Sequence, residues 1–346
     1  MSLTQTAIAV LTGKGLWLPL LVFAALGVMV FVAASRLARH ADAIADATGL
    51  GRLWIGAVLL AASTSLPELI TDVNAAVLGA IDIGIGDLFG STLANMLILA
   101  LLDIFYARRR ILHQVALDHA LVGSLAIVVT SVAAIAVASR GFAVIGPVGL
   151  ESLLIVALYL FGMHAVYRSI GVVPSVPEQL ELGETRRSVL RGGLRGFAFG
   201  TLGLLIVAPA LVISAKAVAI ETGQSDALIG TALVGITTSF PEIAATVAAA
   251  RMGAFDLAVG NIFGSNAFNM CLIFAMDIAH PGGAVLALAS VDHVMSGQIA
   301  VLALSLGVMG ILARAQRRIA VVRVESLLIV ASYVGALWLL ASTGGG

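Results

Sequence analysis

Residues 63–72 read STSLPELITD, and residues 237–246, which lie 174 positions further along the chain, read TTSFPEIAAT. At the same separation, GDLFGSTLANM at 86–96 matches GNIFGSNAFNM at 260–270. Isolated polar residues keep this separation without a gap, namely Asp82 with Asp256, Asp103 with Asp277, Asp118-His119 with Asp292-His293, and Glu151-Ser152 with Glu325-Ser326. A register held over so many positions indicates that the chain consists of two copies of one unit.

The composition of the chain is that of a polytopic membrane protein. Of its 346 residues, 60% are hydrophobic and 11% are charged, whereas about 25% are charged in a typical soluble domain. The formal net charge of zero argues against nucleic-acid binding. The single cysteine, Cys271, excludes a disulfide framework and a cysteine-rich metal site.

Ten stretches are apolar enough to cross a bilayer, for which about 20 residues are needed. The predicted spans are 16–35, 53–79, 84–106, 112–138, 144–167, 193–215, 227–250, 256–279, 287–312 and 322–341. The predicted fold class is therefore an all-α membrane protein with ten transmembrane helices. Residues 1–169 are predicted to form the first five-helix repeat, 170–192 a cytoplasmic linker, and 193–346 the second five-helix repeat.

The basic residues in the connections between predicted spans lie mostly on one side of the membrane. Arginines follow the odd-numbered spans, whereas the other connections hold only Lys14, Arg140 and Lys216. The positive-inside rule then places the odd-numbered connections in the cytoplasm and both termini outside. Because five spans is an odd number, the second repeat enters the bilayer from the opposite side. Such inverted repeats are typical of secondary transporters, which bind substrate near the membrane midplane.

Two glutamates are predicted at equivalent mid-span positions. An ionised carboxylate is costly in hydrocarbon, so intramembrane acids are candidate functional residues. Glu68 follows Pro67 and Glu242 follows Pro241, and each proline frees the carbonyl group four residues earlier. These carbonyls lie in hydroxyl-rich runs. The combination predicts hard oxygen ligands that suit calcium and sodium, rather than ligands for zinc or copper.

The second repeated motif adds hydroxyl and amide groups to the next helix of each repeat. Ser91 and Asn95, like Ser265 and Asn269, are four residues apart and share one helix face. The glycines before each pair allow helices to approach closely. Aspartates near the span ends are predicted to be solvated boundary residues: Asp82, Asp256, Asp103 and Asp277.

With these motifs the chain resembles the sodium/calcium exchangers of the cation/calcium exchanger superfamily, at the size of the prokaryotic members. That family has two inverted repeats, with Thr-Ser-x-Pro-Glu/Asp on one helix and Gly-Ser-x-x-x-Asn/Asp on the next, and both motifs occur in both halves. The resemblance implies that calcium is bound by Glu68, Glu242, Thr64 and Thr238. It implies sodium sites formed by the same glutamates with Ala61, Ser65, Ser91, Gly235, Ser239 and Ser265. It also places amide oxygens near the centre, those of Asn95 and Asn269.

The chain departs from this family pattern in two places. Asn269 stands where the potassium-dependent members have Asp, which predicts that transport does not require potassium. Asp87 stands where the second repeat has Asn261. Asp87 either tunes ion choice from behind the site or lies in the entry vestibule, and we predict the vestibule position. The linker is too short for the calcium-sensing domains of animal exchangers, so no such regulation is expected.

The predicted function is antiport of calcium against sodium by alternating access, with the three sodium ions per calcium that the resemblance implies. We expect no enzyme activity, no cofactor and no protein partner, but only the two ions and the bilayer of a prokaryotic inner membrane. A proton/calcium antiporter stays open, because two close buried carboxylates take up protons readily. A cation channel that uses the same acids also stays open, whereas no Ser/His or metal–His pattern supports a membrane-embedded hydrolase.

Overall fold

A computed structural model describes residues 3–13, 15–106, 117–169, 183–222, 235–312, 318–319 and 322–343. Nearly all of these residues are helical. Three predictions fall on residues outside the description, namely those for linker residues 170–182, for 112–116 in the fourth span and for 227–234 in the seventh span. The described part of the chain is therefore an all-α structure, with only short strands between helices.

The first half of the chain contains eight α-helices and one π-helical segment among the described residues. In chain order they are α1 (Leu3–Leu11), α2 (Trp17–Thr48), α3 (Arg52–Trp54), π1 (Ile55–Leu60), α4 (Ala61–Thr64), α5 (Leu66–Val77), α6 (Ile81–Phe105), α7 (His119–Ala138) and α8 (Leu150–Ser169). A small antiparallel hairpin, formed by β1 (Val144–Ile145) and β2 (Val148–Gly149), precedes α8.

The second half follows a similar order. Its described helices are α9 (Gly183–Thr222), α10 (Gly235–Thr238), α11 (Phe240–Arg251), α12 (Phe255–Ala279), α13 (Val285–Leu288), α14 (Asp292–Leu312) and α15 (Val324–Thr343). A second antiparallel hairpin, formed by β3 (Arg318–Ile319) and β4 (Val322–Arg323), precedes α15.

Seven helices of the described chain are long and apolar enough to cross a membrane: α2, α6, α7, α8, α9, α12 and α14. An eighth span results if the bent pair Arg52–Thr64 and Leu66–Val77 is counted as one. The remaining two predicted spans correspond to α10 with α11, which follow undescribed residues, and to α15, whose apolar part Val324–Leu339 is shorter. The number of ten spans therefore stays a prediction.

The two longest helices, α2 and α9, pack along each other more extensively than any other pair of described elements. Helix α2 has 32 residues and extends beyond the predicted span 16–35. It ends at Gly49, whose φ of 73° is the left-handed conformation that glycine adopts readily. Helix α9 has 40 residues and begins at Gly183, so the end of the predicted linker 170–192 is helical.

Both Thr-Ser-x-Pro-Glu segments interrupt a helix. Ser65 separates α4 from α5, and Ser239 separates α10 from α11, with backbone angles of −85° and 3°, and of −77° and 4°, respectively. The first-half pieces are bent by 44°. Each proline lies in the first turn of the second piece, where a missing N–H is tolerated. In the first half, the bend therefore lies next to Pro67.

Helix α12 crosses the segment formed by π1 and α4 at very short range. A Cβ atom added at Gly264 would lie 2.3 Å from the carbonyl oxygen of Ala57, and one added at Gly56 would lie 2.6 Å from that of Leu257. Only glycine fits at these two positions, as the sequence predicts for Gly264. The crossing holds the broken helix of the first half against the middle of α12.

Two histidine–aspartate contacts join the halves of the chain. His119 Nε2 lies 3.0 Å from Asp256 Oδ1, and His293 Nε2 lies 3.2 Å from Asp82 Oδ1. The two pairs are equivalent, because His293 lies 174 positions after His119 and Asp256 lies 174 positions after Asp82. The aspartate side chains are 41% and 60% exposed, so their predicted boundary position is confirmed.

The other two boundary predictions are wrong, because Asp103 and Asp277 are buried. Asp103 Oδ2 accepts a hydrogen bond of 2.9 Å from Ser326 Oγ, and Asp277 Oδ2 accepts a hydrogen bond from Ser152 Oγ. These aspartates are equivalent in the two repeats, and each binds a serine at the start of the last helix of the opposite half. They fasten the halves together instead of facing solvent.

Candidate cation-binding site

The two glutamates of the halves meet in one buried centre. Glu68 lies in the first turn of α5 and Glu242 in the first turn of α11, where the helix N-terminus favours negative charge. Neither residue is exposed to solvent. Ser65 Oγ donates a hydrogen bond of 3.1 Å to Glu242 Oε1 across the halves, and the Glu242 carboxylate also lies close to Glu68.

The threonines before the glutamates contact the next helix of the other half. Thr64 Oγ1 lies 3.3 Å from Asn261 Oδ1, to which it donates a hydrogen bond, and Thr238 Oγ1 donates one of 2.9 Å to Asp87 Oδ1. A hydroxyl group that donates its proton in this way keeps lone pairs that can bind a cation. Thr64 also lies close to the Glu242 carboxylate, so one of its sides faces the centre.

Many oxygen atoms of the predicted site residues are buried without a hydrogen-bond partner among the described residues. They are Glu68 Oε1 and Oε2, Glu242 Oε2, Asn95 Oδ1, Asn269 Oδ1, and the hydroxyl oxygens of Ser91, Ser239 and Ser265. Buried polar atoms are normally hydrogen-bonded, so each exception needs an explanation. A set of carboxylate, amide and hydroxyl oxygens is the ligand type that hard cations such as calcium and sodium use.

An amide pair links α6 and α12. Asn95 Nδ2 donates a hydrogen bond of 2.8 Å to Asn266 Oδ1. This bond uses the nitrogen of Asn95 and leaves its oxygen available, which suits the role implied for it. Asn266 is absent from the predicted site, since its counterpart in the first repeat is Thr92 and the repeat pattern does not mark it.

The remaining predicted ligands, Ala61 and Gly235, offer only backbone oxygen atoms. The Ala61 carbonyl oxygen accepts hydrogen bonds from Ser65 N at 3.0 Å and from Thr64 Oγ1 at 3.2 Å. Gly235 is the first residue of α10. Ala61 lies three residues before the Thr-Ser pair, as Gly235 does in the other half, so both belong to the last turn before the helix break.

Asp87 is buried, which contradicts the solvated environment predicted for it, whereas its place on an ion entry path stays a prediction. It is 6% exposed and accepts its hydrogen bond from Thr238, a predicted calcium ligand. Asp72, which is fully buried on α5, was not among the predicted site residues. Its counterpart is Thr246, so the repeat pattern did not select it, although an acid one helical turn after Glu68 was a visible signal.

No group of three or more His, Cys, Asp or Glu side chains that could hold a metal ion occurs among the described residues. Two carboxylates with neutral oxygens therefore form the centre, rather than the dense imidazole or thiolate shell that transition metals prefer. Fold and site together define an integral membrane protein of apolar helices with hard oxygen atoms buried at its centre.

The chain belongs to the sodium/calcium exchanger protein family, whose model matches it over residues 18–168 and again over residues 193–342. A putative antiporter, CaxA of Alkalimonas amylolytica, is 28% identical over 333 residues, which are 93% of this chain and 98% of the relative. The inner membrane protein YrbG of Escherichia coli (strain K12) is 30% identical over 260 residues, which are 72% of this chain and 75% of the relative.

Shorter and structural similarities agree with this family. The sodium/calcium exchanger MaX1 of Methanosarcina acetivorans is 41% identical over 88 residues, which are 23% of this chain and 25% of the relative. A solved structure of the sodium-calcium exchanger NCX_Mj, soaked with sodium and strontium, superposes with a TM-score of 0.69 at 22% identity. The match covers 92% of this chain and 97% of that chain. The family and its antiporter and exchanger relatives point to a transporter rather than an enzyme.

Proposed function

We propose that the protein is a secondary antiporter that exchanges calcium for sodium at the site between Glu68 and Glu242. The observation that carries this proposal is the pair of buried glutamates, one from each half, among hydroxyl and amide oxygens that have no other partner within the described chain. Membership of the sodium/calcium exchanger family supports the same ions.

The charge of the site suits such an exchange. Two ionised glutamates carry two negative charges, which one calcium ion neutralises. The proposed calcium ligands are Glu68, Glu242, Thr64 and Thr238. Sodium ions would compete for the same glutamates and use the flanking groups Ala61, Ser65, Ser91, Gly235, Ser239 and Ser265. Because both ions need the glutamates, one ion set leaves before the other binds, and transport needs no chemical fuel.

Access to the site would alternate through movement of α2 and α9. These helices pack on each other and contact the broken helices at the centre, so a joint sliding motion would open the centre to one side at a time. The proposal includes an inverted arrangement of the two repeats, with both termini outside and the linker in the cytoplasm. Supporting it are the family model's two matching segments and the concentration of arginine after odd-numbered spans.

The test is uptake of radioactive calcium into proteoliposomes that contain the purified protein. With sodium inside and none outside, we expect rapid uptake, and with equal sodium on both sides we expect none above that of protein-free vesicles. Uptake that follows a proton gradient and ignores sodium would identify a proton/calcium antiporter instead. Calcium flux that needs neither counter-ion gradient would identify a channel.

A further inference from the structure

The repeats differ at one buried pair of side chains next to the central site. In the second half, Asn261 Nδ2 on α12 donates a hydrogen bond of 3.0 Å to Thr246 Oγ1 on α11. In the first half the equivalent residues are Asp87 on α6 and Asp72 on α5. The two carboxyl groups are within hydrogen-bonding reach of each other. A neutral, satisfied pair in one half is thus an acidic pair in the other.

Hydrogen bonds from the other described residues do not satisfy the acidic pair. Asp87 Oδ1 accepts the proton of Thr238 Oγ1, just as Asn261 Oδ1 accepts that of Thr64. Asp87 Oδ2 and both carboxylate oxygens of Asp72, which is fully buried, accept no hydrogen bond from the described residues. When both groups are ionised, neither carboxylate can donate to the other, because ionised carboxyl groups only accept; a proton shared between them would supply that hydrogen bond.

The surrounding charges make the pair more negative rather than less. Glu68 is one helical turn before Asp72 on α5, and its charge and those of both aspartates act on one another. Lys216 of α9 acts on Asp87, but it forms no ion pair within 4.0 Å, since the ion pairs of the described residues involve Arg52, His119 and His293. Two adjacent buried carboxylates without a contacting cation are strongly unfavourable when both are ionised.

We propose that Asp72 and Asp87 form a second binding site for a hard divalent cation of the calcium class, on one side of the central site only. Two carboxylates balance the charge of one divalent ion, and their oxygens are the ligands that calcium prefers. The site lies towards the loop that joins α5 and α6. Thr238 connects it to the centre, because this threonine bonds Asp87 and is itself a proposed calcium ligand.

This inference rests on the proposed function, and it gives the antiporter a sidedness that its repeats alone would not. An ion that enters from the α5–α6 loop side meets the acidic pair before the two glutamates. An ion that enters from the other side meets the neutral pair of Thr246 and Asn261. In the predicted orientation the acidic pair faces the outside of the cell.

The decisive variant is the double substitution Asp72→Thr with Asp87→Asn. It converts the acidic pair into the Thr–Asn pair that the second half already packs in the same environment, so the fold should tolerate it. Equilibrium dialysis of the purified full chain against radioactive calcium, without sodium, measures the number of ions bound. We expect about two calcium ions per chain in the natural protein and about one in D72T/D87N, whereas Asp118→Asn, an acid removed elsewhere, should still bind about two.

The central and acidic sites can be separated in the same assay. The double variant Glu68→Gln with Glu242→Gln should retain about one calcium ion per chain, held by the acidic pair. If D72T/D87N is not recovered as a monodisperse protein, Asp72→Asn, which changes one atom, should weaken the second class of sites at least about tenfold, or about 1.4 kcal/mol.

Equal calcium stoichiometry in the natural protein and D72T/D87N would overturn the second site and would assign the pair to a shared proton. This outcome is independent of the proposed function. The antiporter proposal fails if the natural protein shows no sodium-dependent calcium uptake, even when D72T/D87N loses one bound ion. The second site fails if that stoichiometry is unchanged, even when sodium-dependent uptake is normal.

Discussion

Substitution of Glu68 or Glu242 by Gln removes one negative charge from the proposed calcium site. We expect either single substitution to reduce calcium transport to background. At a calcium–oxygen distance of about 2.4 Å and an effective dielectric constant of about 20, one charge contributes about 14 kcal/mol to a divalent ion before competition from water. A thousandfold loss of affinity requires only about 4 kcal/mol. Sodium-driven uptake by each purified variant is the measurement.

Glu221→Gln is the matched control for these substitutions, because it is the same chemical change at the end of α9, away from the centre. It should transport calcium as the natural protein does. All variants should elute as the natural protein does on size exclusion, since Gln has nearly the volume of Glu. Natural transport rates in both central variants would place the calcium site elsewhere.

Asn269 supports a second prediction at the residue scale. It is fully buried, and both its side-chain polar atoms are without partners in the described chain. A neutral amide adds no charge that could retain a potassium ion beside calcium and sodium. Replacement of potassium by choline on both sides of the vesicles should therefore leave sodium-driven calcium uptake unchanged. A loss of calcium uptake without potassium would show that Asn269 does not make transport independent of potassium.

The repeated motifs predicted the residues that gather at the centre, but not their partners. Glu68 and Glu242 could be found because two equal patterns at equal spacing single them out. Asp72 and Asn266 were missed because their counterparts, Thr246 and Thr92, differ in type. A search for identical residues in the two repeats does not detect such positions. Their contacts depend on which helices pack together, which sequence spacing does not specify.

At the scale of elements, the close crossing of α12 over π1 and α4 sets the position of the site. Gly264→Ala would place a Cβ atom 2.3 Å from the backbone oxygen of Ala57. Backbone cannot move aside as a flexible side chain does, so the helices must separate. We expect a loss of stability of about 1–3 kcal/mol, the usual cost of overpacking. Thermal unfolding in detergent, followed by circular dichroism, should show a lower midpoint.

Gly203→Ala is the control for the crossing, because a Cβ atom there would meet only the Cβ of Ala33, at an ordinary 3.9 Å. This change lies inside α9, where alanine favours the helix by about 1 kcal/mol over glycine. Its unfolding midpoint should equal or exceed that of the natural protein. An unchanged midpoint in Gly264→Ala would mean that α12 and the broken helix are not packed this closely.

Helix boundaries were predicted less well than helix positions, and the cause is physical. A hydropathy window ends where polar residues begin, whereas a helix ends where its backbone is capped. Helix α2 continues past Arg36 and Arg39 to the left-handed Gly49, since charged side chains at a membrane surface do not disturb a helix. The break at Ser65 was predictable, because Pro67 requires it in the sequence itself.

At the scale of the whole molecule, the polar contacts that recur in equivalent form between the halves do not involve α2 or α9. The pairs of His119 with Asp256 and of Asp103 with Ser326, with their counterparts, join α6, α7, α12, α14 and the helices that follow them. Helices α2 and α9 instead pack chiefly on each other, and α2 also packs on α11. This division supports a rigid body around the site and a separate pair of long helices that would move.

The ion count of the proposed cycle can be tested by its response to voltage. With two negative charges at the centre, the calcium-loaded site is neutral, while a site with three sodium ions carries one net positive charge. Moving that charge through the membrane field contributes about 2.3 kcal/mol per 100 mV, or about a 50-fold bias in equilibrium. We expect an inside-positive potential to accelerate sodium-driven calcium uptake strongly. Three sodium ions leave the vesicle as one calcium ion enters, so each cycle moves one net positive charge outward. Exchange of two protons for one calcium would move no net charge, so uptake that ignores an imposed potential would contradict three-for-one sodium exchange and favour electroneutral transport.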